Sequence, residues 1–236
     1  MPDSAPPLVL VTGASQGIGA AVARAFALRG WRVALVARSA DGLARTAREC
    51  AEAGGEARPV ACDVTDDAAV EAMAADVLRW DVPDVVVNNA GAFVPGGLLE
   101  TTPRAFREQI EVNVVSAFLV TRALLAPMLA RGSGRVLMMG SVASVRGYAG
   151  GVAYGAAKHA LLGLARSLRE EVKGSGVSVT TLLPGAVRTA SWDGTDLPDD
   201  RFMPPEDVAR VAVEVAALSG RTVVEEVLLR PDAGDI

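Results

Sequence analysis

The chain holds one histidine, two cysteines and two tyrosines in 236 residues, and only 4% of it is aromatic. Lysine is equally scarce: Lys158 and Lys173 are the only two among 23 basic residues. Each shortage excludes something. One His and two Cys cannot build a Cys/His structural zinc site or a disulfide framework, so no metal is expected. A lone His159 argues against a Ser-His-Asp hydrolase. Cationic excess is missing too, since the net charge is −5, which argues against a nucleic-acid or anionic-membrane surface. No uninterrupted apolar run approaches bilayer length. The start, Met1 to Pro7, is polar and Pro-rich rather than signal-like. These absences describe a soluble protein of the reducing cytoplasm, with Cys50 and Cys62 as free thiols.

What is present is a large apolar complement. Half the residues are hydrophobic and 22% are charged, enough for one sizeable core and too apolar for disorder. Residues 1–236 read as a single domain. Short β-rich runs (8–11, 32–36, 57–61, 84–87, 135–139, 178–183 and 223–229) alternate with stretches of helical spacing (17–29, 41–53, 66–79, 103–131, 152–173 and 205–218). That alternation predicts an α/β fold, a Rossmann-like doubly wound parallel sheet of seven strands with helices on both faces, in three αβα layers. The least regular stretch, 186–204, follows a strand and suits a substrate lid.

The first strand runs into Thr12-Gly13-Ala14-Ser15-Gln16-Gly17-Ile18-Gly19 and a helix follows. Glycines permit a sharp turn and close approach to a pyrophosphate, and the helix amino end offers free N–H groups to it. The second strand ends in Arg38-Ser39, where an acid would select the ribose hydroxyl of NAD. A guanidinium there suits a 2′-phosphate, with Ser39 as an added donor. The pattern points to NADP(H), with NAD(H) as the alternative.

Further along come Cys62-Asp63-Val64, Asn88-Asn89-Ala90-Gly91, Asn113, Ser141, Tyr154-x-x-x-Lys158 and Pro184-Gly185. Their order and spacing resemble the short-chain dehydrogenase/reductase family, over nearly the whole chain. The resemblance implies that Asp63 and Val64 contact the adenine, and that Asn89, Ala90 and Gly91 lie along the cofactor. It implies that the Pro184-Gly185 turn presents Val187 and Thr189 to the nicotinamide carboxamide. It also implies that Asn113 bends its helix and holds a water linked to Lys158. Family members commonly form tetramers or dimers through the helices matching 103–131 and 152–173, which implies a homo-oligomer here.

Tyr154 and Lys158 are one helical turn apart on one face. An adjacent ammonium is expected to lower the phenol pKa, so that Tyr154 passes a proton to or from a carbonyl oxygen. Ser141 can orient that oxygen, or it can cap the following segment. Two lysines and two tyrosines make the pairing hard to ascribe to chance. His159 falls off that face and takes no role. The expected reaction is reversible hydride transfer between a nicotinamide and a small-molecule carbonyl or alcohol. Phe93, Val94, Tyr148, Trp192, Phe202 and Met203 are pocket candidates. The pattern is similar to 3-oxoacyl-acyl-carrier-protein reductases and general carbonyl reductases. An acyl-carrier partner would need basic rim residues, for which Arg131, Arg166 and Arg169 are candidates beside ordinary surface ion pairing. Two alternatives stand beside this reading: an NAD(P)-dependent dehydrogenase of a sugar alcohol, hydroxy acid or steroid-like substrate, and a cofactor-sensing scaffold without turnover. Two features depart from the family pattern. Gln16 stands where some NADP-preferring members carry a base, and the 230–236 tail lacks the usual closing Gly-Gly.

Overall fold

The computed structural model describes residues 5–235. The expectations placed on Met1–Ser4 and Ile236 fall outside that range. Seven strands alternate with helices: β1 Leu8–Thr12, β2 Arg32–Ala37, β3 Ala57–Ala61, β4 Val85–Asn88, β5 Gly134–Met139, β6 Val177–Pro184 and β7 Glu226–Leu229. The helices are α1 Gly17–Leu28, α2 Ala40–Glu52, α3 Asp67–Trp80, α4 Pro103–Ile110, α5 Ser116–Arg131, α6 Val152–Val172 and α7 Pro205–Ala217. All strand pairs are parallel, in the order β3-β2-β1-β4-β5-β6-β7. The order reverses between β1 and β4. A doubly wound sheet opens its ligand crevice there, beyond the strand carboxyl ends.

Strand side chains alternate between faces, and the core divides accordingly. Val9 and Val11 pack with Phe26 of α1, Leu43 of α2 and Val208 of α7. Leu8 and Leu10 pack on the other face with Met73 of α3, Leu124 and Met128 of α5, and Leu161 of α6. Central strands β1 and β2 are buried along their whole length, which is why they read as continuous apolar runs. The edge strands β3 and β7 are partly exposed.

One expectation needs correction. The single helix expected over 103–131 is broken by a π-helical segment, Glu111–Val115, between α4 and α5. Asn113 sits in its middle, and its Nδ2 donates to the Gln109 carbonyl (3.0 Å) and the Ala92 carbonyl (2.9 Å). A side chain drawing on the helix's own carbonyls favours a π-bulge. The same stretch, Pro103–Arg131, is also long and apolar enough to cross a membrane by length and composition alone. Its Leu119, Val120, Leu124 and Met128 are instead packed into the core.

Candidate active site

The helix starts around the crevice differ in how their first N–H groups are satisfied. Ser39 caps α2 by accepting from Gly42 N (3.1 Å), Asp66 caps α3 through Ala69 N (2.8 Å), and Thr102 caps α4 through Ala105 N (3.1 Å). At α1 the cap residue is Gln16, and its side chain makes no capping bond. The α1 amino end, with its positive partial charge, faces the crevice ready for an anion.

The glycine loop is held from below. Asn89 Nδ2 donates to the Thr12 carbonyl (2.9 Å), while Thr12 Oγ1 accepts from the N–H groups of Asn89 (2.9 Å) and Ala90 (3.0 Å). The contact leaves no room at Gly19, where a Cβ would run into the Gly13 carbonyl and stand 2.5 Å from Asn89 Nδ2. Gly13 itself has φ +65°, in the region that favours glycine. This is a cradle built for close backbone approach, and a dinucleotide pyrophosphate fits it.

A single cavity of about 1240 Å³ runs from this loop across the strand ends. At its nucleotide end lie Gly13, Ser15, Gln16, Gly17, Ile18, Gly19, Arg38, Ser39, Asp63 and Val64; its middle and far end are lined by Asn89, Ala90, Gly91, Asn113, Ser141, Tyr154, Lys158, Pro184, Gly185, Val187 and Thr189. Every residue singled out in the sequence for catalysis or cofactor binding therefore lines one cavity. Asp63 Oδ1 accepts from the Thr65 N–H (3.0 Å) and hydroxyl (2.7 Å), and these bonds, with nearby Arg38, hold its carboxyl below the usual range. Arg38 is exposed at the end of β2. Beyond Pro184-Gly185, Met203 N donates to the Ala186 carbonyl and Arg188 N to the Met203 carbonyl, both at 2.9 Å. That bridge turns the N–H of Val187 away from Met203, on a residue that lines the cavity.

At the other end, Lys158 is buried and its Nζ donates to the Met139 carbonyl (2.9 Å). Burial pulls its pKa down to about 8. Asn113 Oδ1 is buried without a hydrogen-bond partner. A Cβ on Gly91 would stand 2.6 Å from that oxygen and 3.6 Å from Lys158 Nζ, so glycine keeps the space between them open. Ser141 Oγ accepts from Ala143 N (3.1 Å), and Ser144 Oγ accepts from Ser141 N (3.1 Å). Ser141 thus serves as a cap and still keeps its hydroxyl proton to donate.

The phenol of Tyr154 departs from expectation. Its pKa is raised, chiefly by burial, with the Ser141 hydroxyl pulling the other way. The ammonium of Lys158 lies 5.5 Å from the Tyr154 ring centroid. Burial disfavours the charged form of each group, and in this structure it outweighs the expected lowering of the phenol by the lysine.

Of the pocket candidates, Phe93, Val94, Tyr148 and Trp192 line the cavity. Phe93 meets Tyr154 edge-on with ring centroids 5.0 Å apart. Phe202 and Met203 do not line it and are buried beneath the loop, Phe202 against Trp192 at 5.1 Å. The basic rim candidates are also corrected. Arg131 is tied to the carbonyls of Val82 and Pro83 (both 2.7 Å) beside the start of β4, Arg166 to Glu226 (2.7 Å) and Arg169 to Glu225 (3.5 Å), and none lines the cavity. Their charges are taken up by structural partners.

The loop Gly13-Ala14-Ser15-Gln16-Gly17 also has the G-x-S-x-G spacing of a hydrolase elbow. The chain's one histidine cannot complete it: His159 Nδ1 pairs with the Gly155 carbonyl (2.8 Å) and His159 does not line the cavity. Sequence reasoning missed two cations. Arg45 of α2 reaches the Ser15 carbonyl at 3.0 Å, so a guanidinium does flank the glycine loop although Gln16 is uncharged. Arg146 lines the cavity near the other end. Neither belongs to a motif, so only the fold brings them to the site.

Comparison with known proteins agrees with this geometry. The profile described as short chain dehydrogenase matches residues 7–198. The chain belongs to the short-chain dehydrogenase family. One family relative, sepiapterin reductase of Chlorobaculum tepidum, is 32% identical over 97% of this chain and 98% of its own. Among solved members of the family, an alcohol dehydrogenase of the archaeon Thermococcus sibiricus, complexed with 5-hydroxy-NADP, superposes with TM-score 0.89 at 34% identity. It covers 96% of this chain and 97% of that one. A variant of actinorhodin polyketide ketoreductase with NADPH superposes with TM-score 0.88 at 28% identity, covering 98% of each chain.

Proposed function

We propose that the chain is an NADP(H)-dependent carbonyl reductase in which Ser141, Tyr154, Lys158 and Asn113 form the catalytic group. The observation that carries this reading is the shared cavity: those four side chains line the same space as the glycine loop and Arg38. When bound, the nicotinamide nucleotide supplies or accepts the hydride. The glycine loop and the α1 amino end hold its phosphates. Arg38, with Arg45 beside it, takes the 2′-phosphate, Asp63 and Val64 the adenine, and Val187 and Thr189 the carboxamide. 5-Hydroxy-NADP and NADPH in the two solved relatives support that preference.

The residues divide the remaining work. Burial keeps the Tyr154 phenol protonated at neutral pH, so it enters as the proton donor to a carbonyl oxygen. Ser141 donates its free hydroxyl proton to the same oxygen and stabilises the charge that develops there. Among the described residues Lys158 has one hydrogen bond, to Met139, and its other N–H groups remain for the ribose hydroxyls and for a water held by Asn113 Oδ1. That water would return a proton toward Tyr154.

The reading extends to the whole chain. One sheet spans the described residues, which supports a single domain over 1–236. Phe106, Phe118, Leu129 and Val152 are exposed on the two helical stretches 103–131 and 152–172, which supports a dimer or tetramer, as does the family's habit. The cytoplasm is the compartment this reading favours. The test is NADPH consumption by the purified protein across aldehydes, diketones, cyclic ketones, oxo acids and 3-oxoacyl thioesters, with NADH and Tyr154→Phe in parallel. Turnover that prefers NADPH and disappears in the variant supports the reading. Turnover surviving in the variant removes Tyr154 from the role of proton donor.

A further inference from the structure

The carboxyl-terminal tail returns to the substrate end of the cavity. Asp235, next to the last residue, lines it together with Arg146 and Tyr148. Its Oδ2 pairs with Arg146 at 3.1 Å and with Arg230 at 3.4 Å. Its other oxygen, Oδ1, is buried and has no hydrogen-bond partner among the described residues. The chain has thus placed one of its own carboxylates on a cation inside the space where the substrate must sit.

That contact is incomplete. A buried carboxylate oxygen without a donor is costly, and the Arg146 side chain is 65% exposed, so water screens its ion pair. A guanidinium gripping a single oxygen can offer a second N–H to a better-placed carboxylate, since the fork matches that group bidentately. The geometry points to Arg146 as a carboxylate-binding subsite: the substrate is an oxo acid, and Asp235 is a tethered stand-in that the substrate's carboxylate displaces. This rests on the carbonyl-reductase reading and narrows its substrate class. Two acids also line the cavity near that end. Glu108 is neutralised by Arg104 at 2.7 Å, and Glu111 stands exposed on the rim, where it would favour a neutral or cationic substrate instead.

The experiment compares 4-oxopentanoate with its methyl ester, and acetoacetate with methyl acetoacetate, in the full-length protein and in D235N and R146Q. The readout is the acid-to-ester ratio of kcat/KM. The expected result is a ratio about tenfold higher in D235N and about tenfold lower in R146Q, carried by KM rather than kcat, on the scale of one ion pair gained or lost. A ratio unchanged in both variants overturns the subsite, and so does a preference for the ester that R146Q leaves intact. Titration calorimetry of 4-oxopentanoate into the NADP-bound protein gives a second readout without turnover. Binding that strengthens in D235N and vanishes in R146Q supports the subsite even if no carbonyl is reduced, in which case the reductase reading fails alone. No heat of binding in any form, with the ester reduced normally, overturns the subsite and leaves the reductase reading standing.

Discussion

The two ends of the cavity are built by different means. The nucleotide end is made of backbone: strand termini, an uncapped helix start, and glycines where a Cβ would strike a carbonyl or an amide. The substrate end is made of side chains, several of them on irregular segments that ion pairs tie down. Arg188 is bound to Asp199 (2.8 Å) across the 186–204 loop, and Arg146 to Asp235 across the tail. Backbone geometry admits one shape of ligand and leaves a fixed spacing in the chain. Side-chain geometry can be redrawn by single substitutions that leave the fold alone. The first end therefore says what kind of enzyme this is, and the second says which substrate it takes.

The sharpest way to break that comparison is at the seam between the two ends. Tyr154→Phe removes the proposed proton donor and keeps the ring that Phe93 packs against. We expect kcat to fall by a factor on the order of 10²–10⁴, while the Kd for NADPH, read by fluorescence titration, stays within a few-fold. An equal loss of cofactor affinity would mean that the two ends are not separable. Gly19→Ala attacks the backbone end directly. Its new methyl would press on the Gly13 carbonyl and Asn89, and overpacking of that kind costs about 1–3 kcal/mol. NADPH affinity should fall at least tenfold and Tm should drop with it. Unchanged affinity would show that the loop is looser than its contacts suggest.

The difference between the ends also explains what could be read from the chain in advance. The strands were legible because a buried parallel strand is an apolar run, and the glycine loop because its spacing is imposed by sterics. Tyr154 and Lys158 were legible because so few other residues of their type compete. The π segment at 111–115 was not legible: a bulge adds one residue to a turn and leaves the apolar pattern nearly intact, and only the weak helix former Asn113 marks it. Arg45, Arg146 and Asp235 were hidden because they reach the site through the tertiary fold, 30 to 89 positions from their partners. The basic rim candidates failed for the converse reason. Charge alone does not reveal whether a guanidinium already has a partner, and those of Arg131, Arg166 and Arg169 do.

Cofactor choice gives a more modest effect at the backbone end. Arg38→Ala removes one exposed cation without touching the loop. The ratio of kcat/KM for NADPH over NADH should fall by about tenfold to a hundredfold, the worth of a charge-assisted contact of about 1.5–3 kcal/mol. Arg45→Ala should lower the same ratio by less. A ratio moved more by Arg45 than by Arg38 would transfer the main 2′-phosphate contact from the strand end to α2.

The smallest effect concerns Lys158 and the pH dependence of stability without cofactor. Its folded pKa, about 8, lies below the unfolded value near ~10.4. Between those values the unfolded chain binds more protons than the folded one, so stability rises with pH across that window. The charged lysine is a burden below pH 8, and deprotonation relieves it on the way up. Tyr154 acts oppositely, because its raised pKa makes stability fall once unfolded phenols ionise near ~10. Cys50 and Cys62, whose thiols burial pushes up, also lower stability as pH rises through this window. The lysine's share should therefore show between about pH 8 and 10 as the difference between parent and Lys158→Met, an increase of no more than about 2–3 kcal/mol in the urea unfolding free energy of the parent relative to the variant. Lys158→Met should be more stable than the parent at pH 7, and the rise should be missing from its profile. A parent-minus-variant difference that stays flat from pH 8 to 10 would mean that the lysine is solvated in the free protein. The substrate end would then be wetter than its packing implies, and the proposed proton path from Asn113 to Tyr154 would be open before any cofactor arrives.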